Sequence, residues 1–216
     1  MLKAAFWLRV ASTLLLAGLL AASSSMPVSS APPAADLSPA AQVGKKMFFD
    51  TSLSGSGKMA CATCHDPDHA YAPANDLAVQ PGGKTMTENG TRAVPSLCYK
   101  EFTPPYDDVL ENPDGISPPG PGGGLTQDGR AATFAEQAKI PLLAANEMAN
   151  DSPADVVDKL RRSGYADLFR AAFGKDVFND SSKAFGNALA ALQAFQLEDP
   201  IRQIFDFSCS FFNRMN

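Results

Sequence analysis

Five consecutive residues, Cys-Ala-Thr-Cys-His at positions 61–65, carry the clearest chemical signal in the sequence. The pattern C-x-x-C-H is typical of covalent haem attachment, in which two cysteines form thioethers to the vinyl groups of the porphyrin. Cys61 and Cys64 are therefore the predicted attachment residues. His65 follows at once and is the predicted proximal ligand of the iron. The motif thus predicts one covalently bound haem c.

Other kinds of site also use closely spaced cysteines. A structural zinc site needs about four ligands, and neither a second C-x-x-C nor a pair of histidines follows His65. A thioredoxin-like redox pair is expected in a βαβ context and does not need an adjacent histidine. A chance match to so short a motif is the remaining alternative, and the sequence around it therefore has to be considered.

The N-terminus indicates export. Lys3 and Arg9 form a positively charged region before an apolar segment, residues 10–22, that ends in small residues. This pattern is typical of a secretory signal peptide, predicted over residues 1–24, and it is too short for a stable membrane span. A retained membrane anchor is the alternative. Export to the periplasm would suit covalent haem attachment, because free thiols tend to oxidise outside the cytoplasm.

Composition separates a leader from the domain that follows it, and net charge indicates which partners are unsuitable. Residues 25–36 are rich in Ser, Pro and Ala and are predicted to form a flexible leader before a domain at 37–199. Without Lys3 and Arg9, 16 basic residues stand against 23 acidic ones, a net charge of −7. This balance argues against nucleic acid as a partner.

Helix-start signals position the domain's elements. Ser38-Pro39, Thr133 with Glu136, and Ser152-Pro153 have the form of N-caps and capping boxes. Apolar spacing and these caps predict helices from 39 to about 49, from 133, from 153 with Gly164 as its stop, over 165–173 and over 182–198. No stretch alternates with period two. The predicted fold is therefore mainly α, with long loops.

A Pro/Gly-rich stretch spans residues 101–130. A structureless loop of this length in a compact domain is usually either functional or disordered. Its composition favours disorder, whereas the ordered-looking segment directly after it favours a loop packed around a cofactor.

Several ordered motifs together resemble one family. They are Phe48-Phe-Asp50, Leu53–Gly57, Cys61–Pro67, Thr91–Leu97, Asp128–Ala131, Glu136–Ala138, Pro141-Leu142, Asn146–Met148 and Ala190-Ala-Leu-Gln-Ala-Phe195. This part of the chain resembles the N-terminal haem domain of the bacterial di-haem cytochrome c peroxidases, a family that includes the methylamine-utilisation di-haem enzyme. The resemblance implies a cytochrome c-like haem domain.

The family also implies roles for individual residues. His65 would be the proximal ligand of the peroxidatic haem, Gln137 and Glu147 would lie in the distal pocket, and Pro141 would pack over it. A carboxylate with a raised pKa can take a proton from hydrogen peroxide and return it to the leaving oxygen, and Glu147 is the candidate. The alternative for Glu147 is an ordinary surface glutamate, and the alternative for Gln137 is a glutamine with no role in the pocket.

The sequence departs from the family in three places. First, no second C-x-x-C-H follows His65. Second, Gln127 stands where the family usually has Trp before Asp-Gly-Arg, and the only tryptophan in the sequence is Trp7. Third, the family often has Asn at the position of Ala93, at an interdomain calcium site, which puts calcium binding in doubt. Residues 200–216 contain four Phe and are interpreted as an atypical tail, either out of frame or an amphipathic cap.

Secondary candidates remain at the haem. His69 is interpreted as a surface or propionate-contacting residue, and Met86 is a possible sixth ligand. Cys98 and Cys209 could pair, although Cys98 is interpreted here as a small buried hydrophobe.

Two functional classes and a third possibility follow. The first is a peroxidase half-domain that reduces hydrogen peroxide with electrons from a small cytochrome c or cupredoxin. The second is a mono-haem electron-transfer cytochrome. The third is an inactive truncated fragment.

Overall fold

The computed structural model describes residues 36–199, and helices dominate its regular structure. The α-helices are α1 (Pro39–Phe49), α2 (Cys61–Cys64), α3 (Phe134–Leu143), α4 (Pro153–Arg162), α5 (Ala166–Phe173) and α6 (Ser181–Glu198). The predicted mainly α fold is confirmed. The predicted signal peptide and tail lie outside the described residues. Within 36–199, no helix combines the length and apolar character needed to cross a membrane.

The predicted helix starts are confirmed by their caps. The Ser38 hydroxyl accepts a hydrogen bond from Ala41 N (3.2 Å), and the Ser152 hydroxyl accepts one from Asp155 N (3.2 Å). Thr133 caps α3 in the same way, through Glu136 N at 3.1 Å. These side chains satisfy backbone N–H groups that have no partner inside the helix.

Helix ends follow the sequence less closely. α4 ends at Arg162, with Ser163 as its cap, so Gly164 is not the stop that the sequence predicts. α5 ends as expected at Gly174, whose φ of 102° few other residues adopt. α6 begins at Ser181, because the Asp180 carboxylate accepts hydrogen bonds from two backbone N–H groups of its first turn.

The core is built where α1 packs against α6. Gly44 allows their close approach, because a Cβ there would lie 1.9 Å from Ala191 O. Phe48 and Phe195 pack with ring centroids 5.3 Å apart. Ser38 N and Oγ donate to the two Glu198 carboxylate oxygens, at 2.7 and 2.8 Å, and so join the start of α1 to the end of α6.

Two short antiparallel hairpins complete the described structure. β1 (Pro81–Gly82) pairs with β2 (Glu88–Asn89), and β3 (Asp107–Leu110) pairs with β4 (Gly120–Gly122). The second hairpin lies within the Pro/Gly-rich stretch. Strands of two to four residues are too short to show the alternation by which strands are recognised in sequences.

Cys98 corrects one interpretation. It is buried, with 9 % of its surface exposed, as a small hydrophobe should be. However, its sulfur takes part in a disulfide, so the interpretation of Cys98 as an unpaired thiol is wrong. Cys209, the pairing candidate in the sequence, lies outside the described residues.

Candidate functional site

The five-residue motif forms a compact unit at α2. Cys61 and Cys64 begin and end this single helical turn, and His65 caps it through a hydrogen bond from His65 N to Cys61 O at 2.9 Å. Ala60 N donates to Thr63 Oγ1 at 2.9 Å, which fixes the entry to the turn. Both cysteines are free thiols. The turn therefore brings the two thiols and the imidazole to one place.

The His65 ring is oriented by the backbone. Its Nδ1 lies 3.0 Å from Tyr71 O, so in the neutral imidazole Nδ1–H donates to this carbonyl. The lone pair then belongs to Nε2, the atom that would bind iron, and such a hydrogen bond is typical of metal-ligating histidines. Tyr71 is itself buried, and its hydroxyl donates to Asp199. The segment after the motif thus supports the predicted ligand.

Burial keeps the two thiols protonated. It raises the pKa of Cys61 to about 12 and that of Cys64 to about 11, and the Glu147 charge adds to the rise at Cys64. Reactive cysteines have depressed pKa values. This environment does not suit a thiol–disulfide catalyst, the alternative that the cysteine spacing left open.

His65 lies between two adjoining cavities of about 180 Å³ and 70 Å³. The larger one brings Cys64, His65, Gln137 and Glu147 together. The smaller one adds Cys61 and Pro141. The cavities share six lining residues: Met59, Cys64, His65, Leu97, Gln137 and Gln196. All of the site residues predicted from the sequence therefore line this pair of cavities.

Glu147 is held in the turn that follows α3. Its N donates to Ala144 O at 3.0 Å, and its own carbonyl accepts from Gly83 N at 2.8 Å. Burial raises the pKa of the Glu147 carboxyl above its ordinary value, while the positive charge of Arg130 offsets part of that rise. A half-buried carboxylate with a raised pKa is suited to proton transfer.

Two glycines hold the Glu147 turn in place, and neither of them was identified from the sequence. A Cβ at Gly82 would lie 2.3 Å from Asn146 O and 3.0 Å from the Glu147 Cα. Gly83 has a φ of +79°, a conformation that favours glycine. The β1 segment can therefore lie directly against the turn only because these residues have no side chain.

Pro141 and Gln137 are linked through the backbone of α3. Pro141 lies inside the helix and has no N–H, so it cannot donate to the carbonyl of Gln137, four residues earlier. Gln137 is half-buried and lines both cavities. Gln137 therefore brings to this turn of α3 both its amide side chain and a backbone carbonyl that receives no hydrogen bond from residue 141.

An ion-pair cluster lies at the edge of the larger cavity. Asp128 Oδ2 contacts Arg92 at 2.9 Å and Arg130 at 3.0 Å. A hydrogen bond from the Thr126 hydroxyl, together with Arg92, holds the pKa of Asp128 below its ordinary value. Gln127 Nε2 donates to Ala93 O at 3.0 Å, so the residue at the family's Trp position ties two cavity-lining loops together.

The two secondary candidates do not line either cavity. His69 is partly exposed, and its Nδ1 lies 3.2 Å from Asp66 Oδ2. The Met86 sulfur accepts a hydrogen bond from Ser56 Oγ at 3.4 Å. In the described part of the chain, therefore, the structure does not bring His69 or Met86 together with the predicted distal residues.

The site fits a c-type haem. Two thiols and an oriented imidazole open onto the cavities, whose remaining walls are largely apolar: Val94, Leu97, Leu125, Phe134, Ile140 and Leu192 among them. Residues 36–199 contain no group of three or more His, Cys, Asp or Glu placed to hold a metal ion. The fold and the residues gathered here are those expected of a c-type haem site.

Comparisons with known proteins identify the family. Residues 38–203 match the di-haem cytochrome c peroxidase family. The chain is 35 % identical over 152 residues to the methylamine utilization protein MauG of Methylophilus methylotrophus, covering 70 % of this chain and 38 % of that protein. It is 29 % identical over 160 residues to the cytochrome c551 peroxidase of Pseudomonas aeruginosa, covering 72 % and 37 %.

A solved structure shows the same fold. The crystal structure of the diheme peroxidase BthA from Burkholderia thailandensis matches with a TM-score of 0.65 and 34 % identity, covering 80 % of this chain and 42 % of that one. The chain belongs to the di-haem cytochrome c peroxidase family. It spans about two fifths of the length of these relatives.

Proposed function

We propose that this chain binds one haem c through Cys61, Cys64 and His65 and reduces hydrogen peroxide beside Glu147. One observation carries the proposal: Glu147 and Gln137 line the same cavity as Cys64 and His65, although more than 70 residues separate them in sequence. Surface residues of no function would have no reason to converge there. Family membership supports the same chemistry.

Haem iron, when bound, would supply the redox centre at which the peroxide oxygen is reduced. Glu147 supplies the proton transfers. Its carboxylate accepts a proton from hydrogen peroxide, and the resulting acid returns that proton to the oxygen that leaves as water. The raised pKa matters because an ordinary surface carboxylate is too weak a base to retain a proton near neutral pH.

Neighbouring groups position the reactants. The Gln137 amide can donate to a peroxide oxygen, because it lines the cavity with Glu147. Pro141 lines the adjoining smaller cavity. Arg130 adds positive charge near Glu147 and keeps its pKa from rising further. Together these groups orient peroxide and hold a proton close to where it is needed.

The electrons are proposed to come from a small redox protein, either a cytochrome c or a cupredoxin. We also propose that the protein is exported to the periplasm by a signal peptide at residues 1–24. Both proposals rest on the sequence and on family membership.

Ligand binding to the ferric protein tests the proposed site. Neither His69 nor Met86 lines the cavities of His65, so haem held there should show a high-spin component in the optical and EPR spectra and bind cyanide rapidly. The Glu147→Gln variant should retain both, because Glu147 serves proton transfer and does not hold haem. A purely low-spin spectrum that does not respond to cyanide would contradict the proposal and favour an electron-transfer cytochrome.

A further inference from the structure

The segment before the Asp128 cluster concentrates negative charge. Residues 101–129 contain six carboxylates and no Lys, Arg or His. Four of these carboxylates, Asp107, Asp108, Glu111 and Asp114, lie exposed on the β3–β4 hairpin and its loop, here called the acidic hairpin (residues 102–122). In the described part of the chain, none of the four forms an ion pair.

Apolar side chains are exposed among these charges. Large hydrophobic residues are exposed at seven of the described positions, and four of them lie in one stretch of fifteen residues: Phe102, Tyr106, Val109 and Ile116. Val109 is 63 % exposed and Ile116 is 90 % exposed. Exposed apolar residues grouped in this way, and rimmed by polar ones, mark interaction sites.

The base of the acidic hairpin is fixed to the rim of the cavity. Gly124 N donates to Pro104 O at 2.8 Å, and a Cβ at Gly123 would lie 2.3 Å from Pro105 O. The chain then runs directly into Leu125–Arg130, most of which line the larger cavity. The apolar and acidic residues thus lie on a hairpin whose base is fixed by backbone contacts, one short loop away from the candidate haem site.

We infer that the acidic hairpin is the docking surface for the electron donor, and that this donor is a small basic redox protein with an apolar patch ringed by lysines. The inference rests on the proposed function. Charge complementarity identifies the partner: four unpaired carboxylates around apolar side chains attract a surface of the opposite pattern and repel acidic proteins.

This composition suits a transient complex. Electron-transfer complexes use small interfaces, below about 1,200 Å² in total, and they must dissociate quickly. Charges at the edge of the interface raise the association rate through long-range electrostatic attraction, and dissolved salt weakens that attraction. The apolar side chains provide a dry contact at the centre. Since Glu111 and Asp114 shortly precede Ile116 in the same loop, and Ile116 N donates to Asp114 Oδ1, steering and contact are combined on one hairpin.

Direct binding tests the inference. The full chain with haem is titrated into an isotope-labelled basic cytochrome c, used as the probe, and chemical shifts give the Kd; an acidic cytochrome c serves as the counter-probe. A fourfold variant (Asp107→Asn, Asp108→Asn, Glu111→Gln, Asp114→Asn) removes the charges. Asn keeps the oxygen with which Asp107 and Asp114 accept backbone N–H bonds, so the hairpin should stay folded.

Two further variants act as a control and as an independent test. Asp158→Asn with Asp167→Asn removes two exposed charges from α4 and α5, away from the acidic hairpin. Val109→Ser with Ile116→Ser removes the apolar contact and leaves the charge unchanged.

We expect the fourfold variant to raise the Kd for the basic probe by about tenfold or more at low salt, and to lose most of its salt dependence. The serine variant should weaken binding but retain the salt dependence. The α4–α5 control should change the Kd by less than about twofold. The acidic probe should not bind measurably.

Equal Kd values for the wild type and the fourfold variant would overturn the inference. It would also be overturned if the free chain associated with itself through the hairpin, as shown by hairpin amides protected from hydrogen exchange without any donor. A failure of the proposed function can be told apart from a failure of this inference. In that case the haem would not react with peroxide, but the chain would still bind the basic probe.

Discussion

Replacing Gly82 by Ala tests how precisely Glu147 must be placed. Gly82 lies in β1, outside the 61–65 motif, and it packs against the turn that carries Glu147. An added methyl group would lie 2.3 Å from Asn146 O and 3.0 Å from the Glu147 Cα. Ordinary contacts of a Cβ begin at 3.4 Å. The turn must therefore move by about 1 Å, or the hairpin must separate from it.

A displacement of this size has a large expected effect on reaction rate. Misplacing a catalytic group by about 1 Å can cost about 10²-fold. The overpacking should also lower the free energy of unfolding by about 1–3 kcal/mol. Haem attachment should be unchanged, because Cys61, Cys64 and His65 are on a different segment. We therefore expect Gly82→Ala to separate haem binding from peroxide chemistry.

Stopped-flow mixing of the ferric protein with hydrogen peroxide measures the rate constant, and the absorbance of the attached haem measures its content. Gly186→Ala is the matched control, since no atom lies within 4 Å of the added Cβ and the site is inside α6. It should stabilise the protein by about 0.5–1 kcal/mol without changing the rate. A Gly82→Ala protein that reacts at the wild-type rate would refute the argument that this contact positions Glu147.

Three other predictions concern charge, attachment and turnover. Arg130→Gln removes the charge that lowers the Glu147 pKa, so the pH at which the peroxide reaction reaches half its maximum rate should shift upward; an unchanged pH profile would show that Arg130 does not act on Glu147. Cys61→Ala and Cys64→Ala should each weaken haem retention in acid–acetone extraction, whereas fully extractable haem in the wild type would rule out a c-type site. Because these 216 residues contain a single C-x-x-C-H, we expect them, when produced by themselves, to reduce peroxide with a reduced donor more slowly than a full-length di-haem relative does; equal steady-state rates would contradict this.

The elements that the sequence predicts well depend on local interactions. Ser38, Thr133 and Ser152 mark helix starts because each side chain accepts a hydrogen bond from the backbone N–H three residues further along. The motif at 61–65 is equally local, and its residues meet within a single turn. Helix ends are harder to predict, as α4 shows: Ser163 N donates to Leu160 O and ends the helix before Gly164 is reached.

The support of the site depends on contacts between distant segments. Gly82 and Gly83 are needed because β1 meets the Glu147 turn, more than 60 residues away, and one sequence contains no sign of that encounter. The same is true of the ion pair between Asp128 and Arg92, since Arg92 lies in a loop more than 30 residues earlier in the chain. Glu147 and Gln137 were predicted only through the family resemblance, since nothing local distinguishes them from surface residues.

The most direct test of the proposed function compares the wild type with Glu147→Gln in the reaction of the ferric protein with hydrogen peroxide. The substitution keeps the size of the side chain and removes its proton acceptor. We predict equal haem content, equal cyanide binding and a rate constant for peroxide lower by about 10²–10⁴-fold, the usual effect of losing a general acid–base group. Equal rates for the two proteins would contradict the assignment of Glu147 and, with it, the proposed chemistry of the site.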